Sequence, residues 1–298
     1  MQGQEPNMQV AIHAGAAFTD EGRLLSSLQA NGDMLAQYGV ALFGPRRYRQ
    51  VFKPAFEALN ARPPMPDEIE RIRGNLPTDP EMQRTIFTSD GFAGEKGTLL
   101  SDGQLYPSAG KRMSVLEEAF RDCQVELFLA LRNPGSFIPK HLMSLTEEER
   151  KNAIRSNDLS HLSWIGMIED IRDFAPDVQI TLWANEDTPL IWGDILRSIG
   201  GLPDDAQIVD EYDLLISLLT DKGKALAKAI LDAGSDQPKA DTRDALAAVL
   251  DDHAQPEKIE EELDLPGWSE EIVDAFFELY EQDLSKLDSM TGVRVLKP

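Results

Sequence analysis

The residues whose types and spacing could do chemistry begin with Met8 to Val40. A strand, Gln9-Val10-Ala11-Ile12-His13, runs into a loop opening Ala14-Gly15-Ala16-Ala17, and a helix follows through Leu24 to Gln29 toward Gln37. A glycine-bearing loop between a strand and a helix can cradle a phosphate, because its backbone N–H groups and the helix N-terminus point at the anion. That chemistry wants Lys, Gly and Thr in the loop, whereas this loop carries Phe18, Asp20 and Glu21. A second group, Arg46, Arg47, Arg49 and Lys53 with Tyr48 and Phe52 interleaved, reads either as a solvated helix start or as a handle for an anionic or carbohydrate ligand, with Tyr48 stacking on it. Trp183 and Trp192 could line the same crevice or fill the core. Four His and the single Cys123 show no metal-ligand spacing, so no metal site is expected.

The chain of 298 residues is long enough for one large α/β core with a helical annex. Apolar residues make up 42% and charged residues 27%, values of an ordinary globular protein, but the net charge is −23. That charge argues against nucleic acid as a partner, since a phosphate backbone demands a basic face. No run of residues is long and apolar enough to span a membrane, and Met1 to Glu5 lack the pattern of a signal peptide, so a cytoplasmic protein is the default expectation. From Asp204 to Asp288 there are 24 acidic and 7 basic residues, a net of −17, which leaves −6 for the rest. The chain therefore divides into an α/β core over 1–203 and an acidic helical region over 204–298, packed on that core rather than an independent domain. The acidic helices present either a plain solvated surface or a docking face for a basic partner.

The elements that must position these residues alternate. After the first strand, Val40–Phe43, Arg84–Ser89, Val125–Leu131 and Val178–Trp183 read as strands, and Glu126 is the one charged residue in the fourth. Helices are expected at Arg46–Leu59, weakened by Pro54, and at Asp67–Gly74, Ser114–Asp122, Leu162–Phe174 and Ile191–Ile199. Gly91 to Pro107 reads as loop. Further helices are expected at Asp210–Ala233, Thr242–Asp252, Glu257–Leu263 and Ser269–Leu287. Apolar strands separated by helices predict a mostly parallel, doubly wound sheet of about five strands. Ligands of such sheets bind beyond the carboxyl ends of the strands, which gathers His13–Gly22, Gly44–Arg49, Ser89–Gly94, Arg132–Lys140 and Ala184–Asp187 at one rim.

On this rim a family resemblance appears. Ile12-His13-Ala14-Gly15, with Leu28, Asn31, Leu35 and Gly39-Val40 at fitting distances, resembles the opening of bacterial P-loop sulfotransferases. Leu129-Ala130-Leu131-Arg132-Asn133-Pro134 is similar to the family's strand ending Arg-Asn/Asp-Pro, and Ile86-Phe87-Thr88-Ser89-Asp90 to its strand ending Ser-Ser-Glu. Tyr280, Asp283-Leu284, Leu287 and Gly292-Val293 resemble the family's terminal helix and final strand. The resemblance spans most of the chain and implies a P-loop-type fold that uses 3′-phosphoadenosine 5′-phosphosulfate (PAPS) as sulfuryl donor.

What the resemblance implies for single residues is mixed. Gly15 and Thr19 keep their positions in the donor loop, Phe18 stands where the family has Lys, Asp20 where it has Gly, and Glu21 and Gly22 where it has Thr. Asp20 and Glu21 either cap the helix or repel the donor, and an acid capping that helix would imitate a phosphate rather than bind one. Arg132 would hold the 3′-phosphate, with Lys140 replacing the family's Ser; alternatively Arg132 pairs with a carboxylate such as Asp20 or Glu21. A sulfuryl acceptor needs a general base, for which His13, Asp90 and His141 are candidates. His13 also reads as a packed rim residue, Asp90 as a turn residue and His141 as a surface residue. The expected function is a pseudoenzyme that has lost sulfuryl transfer, needs no cofactor, and binds a glycan or a protein partner. The alternatives are an active PAPS-dependent enzyme, with Arg23 or Lys140 replacing the loop Lys, and a structural protein working through its acidic helices.

Overall fold

A computed structural model describes residues 8–233, 239–259 and 265–298. Six strands form one parallel sheet: β1 (Gln9–His13), β2 (Val40–Phe43), β3 (Arg84–Thr88), β4 (Gln124–Leu131), β5 (Gln179–Ala184) and β6 (Val293–Leu296), in the order β2-β3-β1-β4-β5-β6. The expected α/β sheet is present with one strand more than five. β6 is four residues at the sheet edge with only Leu296 buried, too short and too exposed to stand out by periodicity.

The strands read as unbroken apolar runs because both faces are covered. Val10, Ile12, Phe87, Leu127, Leu129 and Leu182 point into one core, and Ala11, Ile86, Phe128, Ala130 and Trp183 into the other. The helices that matter for the rim are α1 (Arg23–Ala30), α2 (Ala109–Ala119), α3 (Pro134–Ser144), α4 (Ile165–Phe174) and α5 (Thr188–Gly200). α2, α3 and α4 contribute to the first core, α1 and α5 to the second. Glu126 is explained by Arg84, whose guanidinium is 2.5 Å from its carboxylate and also bonds Gln9 and the Ile199 carbonyl.

Three local departures have tertiary or chemical causes. The Arg46–Leu59 helix passes through a π-turn at Tyr48–Phe52, just before Pro54, whose missing N–H cannot close an ordinary turn. The stretch expected as loop from Gly91 to Pro107 is packed: it forms a hairpin, Leu100–Ser101 against Gln104–Leu105, and buries Phe92, Leu99 and Tyr106. The single helix expected at Asp210–Ala233 is two, α6 (Asp213–Leu218) and α7 (Asp221–Ala233). The Thr220 hydroxyl accepts from the Gly223 N–H at 3.3 Å and caps α7, and the Thr220 N–H donates to the His253 carbonyl and the Gln255 N–H to the Leu218 carbonyl, so a local cap and a distant segment together open the turn.

The remaining C-terminal elements are α8 (Lys239–His253), a short helix at Pro256–Ile259 and α9 (Glu270–Asp288). The expected helix at Glu257–Leu263 lies partly outside the described residues. Leu215, Leu219, Ala227, Leu246 and Val249 make a small core of their own among α6, α7 and α8, tied to α5 by the Arg243–Asp194 ion pair. α9 instead packs on α3 and puts Phe276, Tyr280 and Leu287 into the main core. Among the described residues no helix is long and apolar enough to cross a membrane.

Candidate functional site

The loop after β1 does not open into a phosphate cradle. Ala14 and Ala16 donate their N–H groups to the carbonyls of Phe128 and Ala130 at 3.0 and 3.2 Å, and Ala130 donates to Gly15 at 2.7 Å, so pairing with β4 continues past His13. The Ala17 N–H then donates to the buried Tyr106 hydroxyl at 2.9 Å. Gly15 has a φ of 96°, and a Cβ there would lie 3.3 Å from the Asp90 Cα; it is a point of close approach between two loops. The Thr19 hydroxyl donates to the Ala16 carbonyl at 2.6 Å.

At the α1 N-terminus the Asp20 side chain takes the place of an anion. Its Oδ2 accepts from the Leu24 N–H at 3.3 Å and its carbonyl accepts from the Arg23 N–H at 2.8 Å. Glu21 is exposed and φ-positive at 50°. Of the two acids, Asp20 alone serves the helix end, where a carboxylate is favoured by the unpaired N–H groups. The residues present therefore do not fit the 5′-phosphate of a PAPS-like donor: five amides that could face it are engaged within the chain, and a carboxylate stands at the helix end.

The second expected anion element keeps its cation. Arg132 is buried, and its guanidinium donates to the Ser136 hydroxyl at 3.0 Å and to the Phe18 carbonyl at 3.1 Å. The Phe18 ring is edge-on to Phe137, and two ammonium groups approach it, Lys96 at 5.1 Å and Lys140 at 5.7 Å from the centroid. Lys96 was not foreseen, because it comes from the stretch read as an unstructured loop.

The end of β4 is held from three sides. The Trp164 indole donates to the Arg132 carbonyl at 2.8 Å, and the Tyr280 hydroxyl lies 2.9 Å from the Leu131 carbonyl and 3.1 Å from Glu186. Glu186 also accepts from the Asn133 N–H at 3.0 Å, while the Asn133 side chain caps α3 at Gly135. Burial pushes the Tyr280 phenol far above its ordinary range, so it stays a donor. Asp283, raised by burial, accepts from Ser163 at 2.6 Å and positions the start of α4. The Tyr and Asp read from the closing helix thus both face inward.

The candidate bases fare differently. His13 is 2% exposed, bonded through Nδ1 to the Thr88 hydroxyl at 2.8 Å and stacked on Trp183. Burial lowers its pKa against the opposing pull of Asp20 and Asp90, so it is a sealed neutral ring. Asp90 is exposed at the end of β3, next to Gly15, and is the candidate open to a substrate. His141, expected on the surface, is 2% exposed, and its Nδ1 has no hydrogen-bond partner among the described residues. It sits on the inward face of α3, directly after Lys140.

The proposed aromatic handle does not exist as such. Tyr48 is buried, with its hydroxyl 2.7 Å from both the Gly91 carbonyl and Glu95, so it cannot stack on a ligand. Lys53 pairs with Glu95 and Arg47 bonds Asn75 over the Phe43 ring, leaving Arg46 and Arg49 exposed. The cause is the π-turn together with the aromatic cluster of Tyr48, Phe52, Phe56 and Phe92, which draws Tyr48 inward. Trp183 is likewise core.

A cleft of about 750 Å³ opens between the rim and the acidic helices. Phe18 to Glu21, Arg132 and Lys140 form one wall, Asn185, Glu186 and Thr188 contribute from the end of β5, and Trp192, Leu214, Leu218, Leu250 and Ile259 form the opposite wall. Three of the five rim segments expected from sequence line it; those around Arg46 and Asp90 do not. Comparison with protein-family models and with curated protein sequences finds no match for this chain. Among the described residues no cluster of His, Cys, Asp or Glu is arranged to hold a metal ion.

Proposed function

We propose that this chain is a binding protein, a pseudoenzyme built on a sulfotransferase-like scaffold whose donor-nucleotide site is closed by its own groups. The observation that carries this reading is the Asp20 carboxylate on the Leu24 N–H, where a phosphate would sit. A like-charge pair at about 4 Å and an effective dielectric near 20 repels by roughly 4 kcal/mol at full strength, which solvent screening at the half-exposed Asp20 reduces to about 1–2 kcal/mol, on the order of tenfold in affinity. The engaged amides of Ala16 and Ala17 work in the same direction. The cleft beside the loop is the natural place for a ligand, since it is concave, mixed in polarity and at the carboxyl ends of the strands.

A second reading, an active donor-dependent enzyme, draws on Lys96 and Lys140 over Phe18, which return positive charge to the position of the missing Lys, and on the exposed Asp90 as base. Calorimetry with 3′,5′-adenosine bisphosphate separates the two. The binding-protein reading expects no saturable heat at millimolar nucleotide. Saturable binding that is lost in Arg132→Ala overturns it in favour of the enzyme.

A further inference from the structure

We infer that the cleft between the donor-like loop and the acidic helices binds a small amphiphile with an apolar body and one anionic head, of the carboxylate or sulfonate class. The inference rests on the reading that the loop end of the cleft no longer accepts a doubly charged phosphate, and it names the ligand of that same site.

The apolar wall sets the body of the ligand. Leu214, Leu218 and Leu250 are only half-buried, and Ile259 is 49% exposed, although all four face a concavity of about 750 Å³. Apolar surface inside a cleft of this size is what a ligand of drug-like dimensions covers. The Trp192 indole lines the same side and Phe18 the other, so the body meets an aliphatic wall with aromatic edges.

The charged groups set the head. Arg132 enters from the end of β4, Lys140 from α3 and Arg23 from the start of α1, and Lys258 is fixed across the cleft by its bond to the Ser217 carbonyl at 2.7 Å. Two of the four carboxylates that line the cleft already accept internal donors: Asp20 from Leu24, Glu186 from Asn133 and Tyr280. Glu21 and Asp251 are exposed. Positive charge is thus carried by the walls, while acidic groups limit how much negative charge a ligand can bring. A ligand that brings one negative charge meets less repulsion from these acids than one that brings two.

A hydrogen-bonding group completes the site. Thr188, the first residue of α5, is 7% exposed and lines the cleft, and its hydroxyl has no partner among the described residues. A buried hydroxyl without a partner costs free energy that a bound oxygen acceptor or donor recovers.

Calorimetry on the full chain with octanoate, octan-1-ol and octylammonium tests the inference. Octanoate is expected to saturate one site, octanol to bind about tenfold more weakly, and octylammonium to give no saturable heat. Lys140→Gln should weaken octanoate about tenfold and leave octanol unchanged; Ile259→Asp, at an exposed position that does not threaten folding, should weaken both. Octanoate that fails to saturate, octylammonium binding as tightly as octanoate, or an unchanged octanoate affinity in Lys140→Gln each overturns it. A separate titration with 3′,5′-adenosine bisphosphate judges the closed-donor reading by itself. Saturable nucleotide binding overturns that reading, whereas failure of both octanoate and nucleotide overturns only the amphiphile.

Discussion

Replacing Asp20 by Asn separates stability from anion exclusion at one atom. Asn keeps an oxygen that can accept the Leu24 N–H, so the hydrogen bond at 3.3 Å survives and only the charge is lost. A half-exposed charge at a helix N-terminus contributes about 0.3–1 kcal/mol. With an unfolding entropy near 2.1 cal/mol/K per residue, the 298-residue chain should lose no more than about 2 °C in Tm. Anion binding should move the opposite way. The like-charge repulsion removed is roughly 4 kcal/mol at full strength, and solvent screening at a half-exposed site reduces it to about 1–2 kcal/mol, a gain of about five- to thirtyfold. Phe18→Lys adds a cation at a position already in left-handed conformation, φ 63°, so the double variant should gain further. Differential scanning fluorimetry with and without 5 mM 3′,5′-adenosine bisphosphate reads both effects. A variant more stable than wild type, or a nucleotide-induced shift no larger than in wild type for both the single and double variants, would refute the assignment of Asp20 as the group that closes the site.

Three further outcomes follow from the geometry. Tyr280→Phe removes the hydroxyl from the buried Leu131 carbonyl and from Glu186 and should destabilise by about 1–3 kcal/mol, measured by urea denaturation; a loss under 0.5 kcal/mol would mean the β4 end is held by other groups. Gly91→Ala places a Cβ 2.6 Å from the Tyr48 ring and should lower Tm by several degrees, since the ring is locked among aromatics. His13 and His141 are both held neutral, with pKa values below the ordinary 6.5, so the unfolded chain binds more protons below that value; stability should be full above about pH 7 and fall as pH drops through 6.5, by up to about 1.4 kcal/mol per unit and histidine, and His141→Gln should flatten that slope in Tm measured from pH 8 to 5.

The order of elements was legible in the chain because strands buried on both faces read as apolar runs, and Val10, Ile86, Leu127 and Leu182 sit in such runs. The acidic filling of the β1–α1 loop was legible too, since residue types at fixed spacing need no coordinates. Distance decided the rest. Lys96 approaches Phe18 only because a Gly-rich stretch folds back under Tyr106, and Tyr48 leaves the surface only because Phe56 and Phe92 pack on its ring. His141 is polar by type and buried by its place on α3, and the break at Leu219 is fixed by hydrogen bonds to His253 and Gln255 at the far end of α8. Local composition dictates which backbone shapes and charges are available along the chain, because propensity and periodicity are local quantities. Which of those charges end up facing one cleft, and which amides are already taken, depends on non-local hydrogen bonds and burial that exist only once the sheet, its helices and the acidic C-terminal elements are packed together.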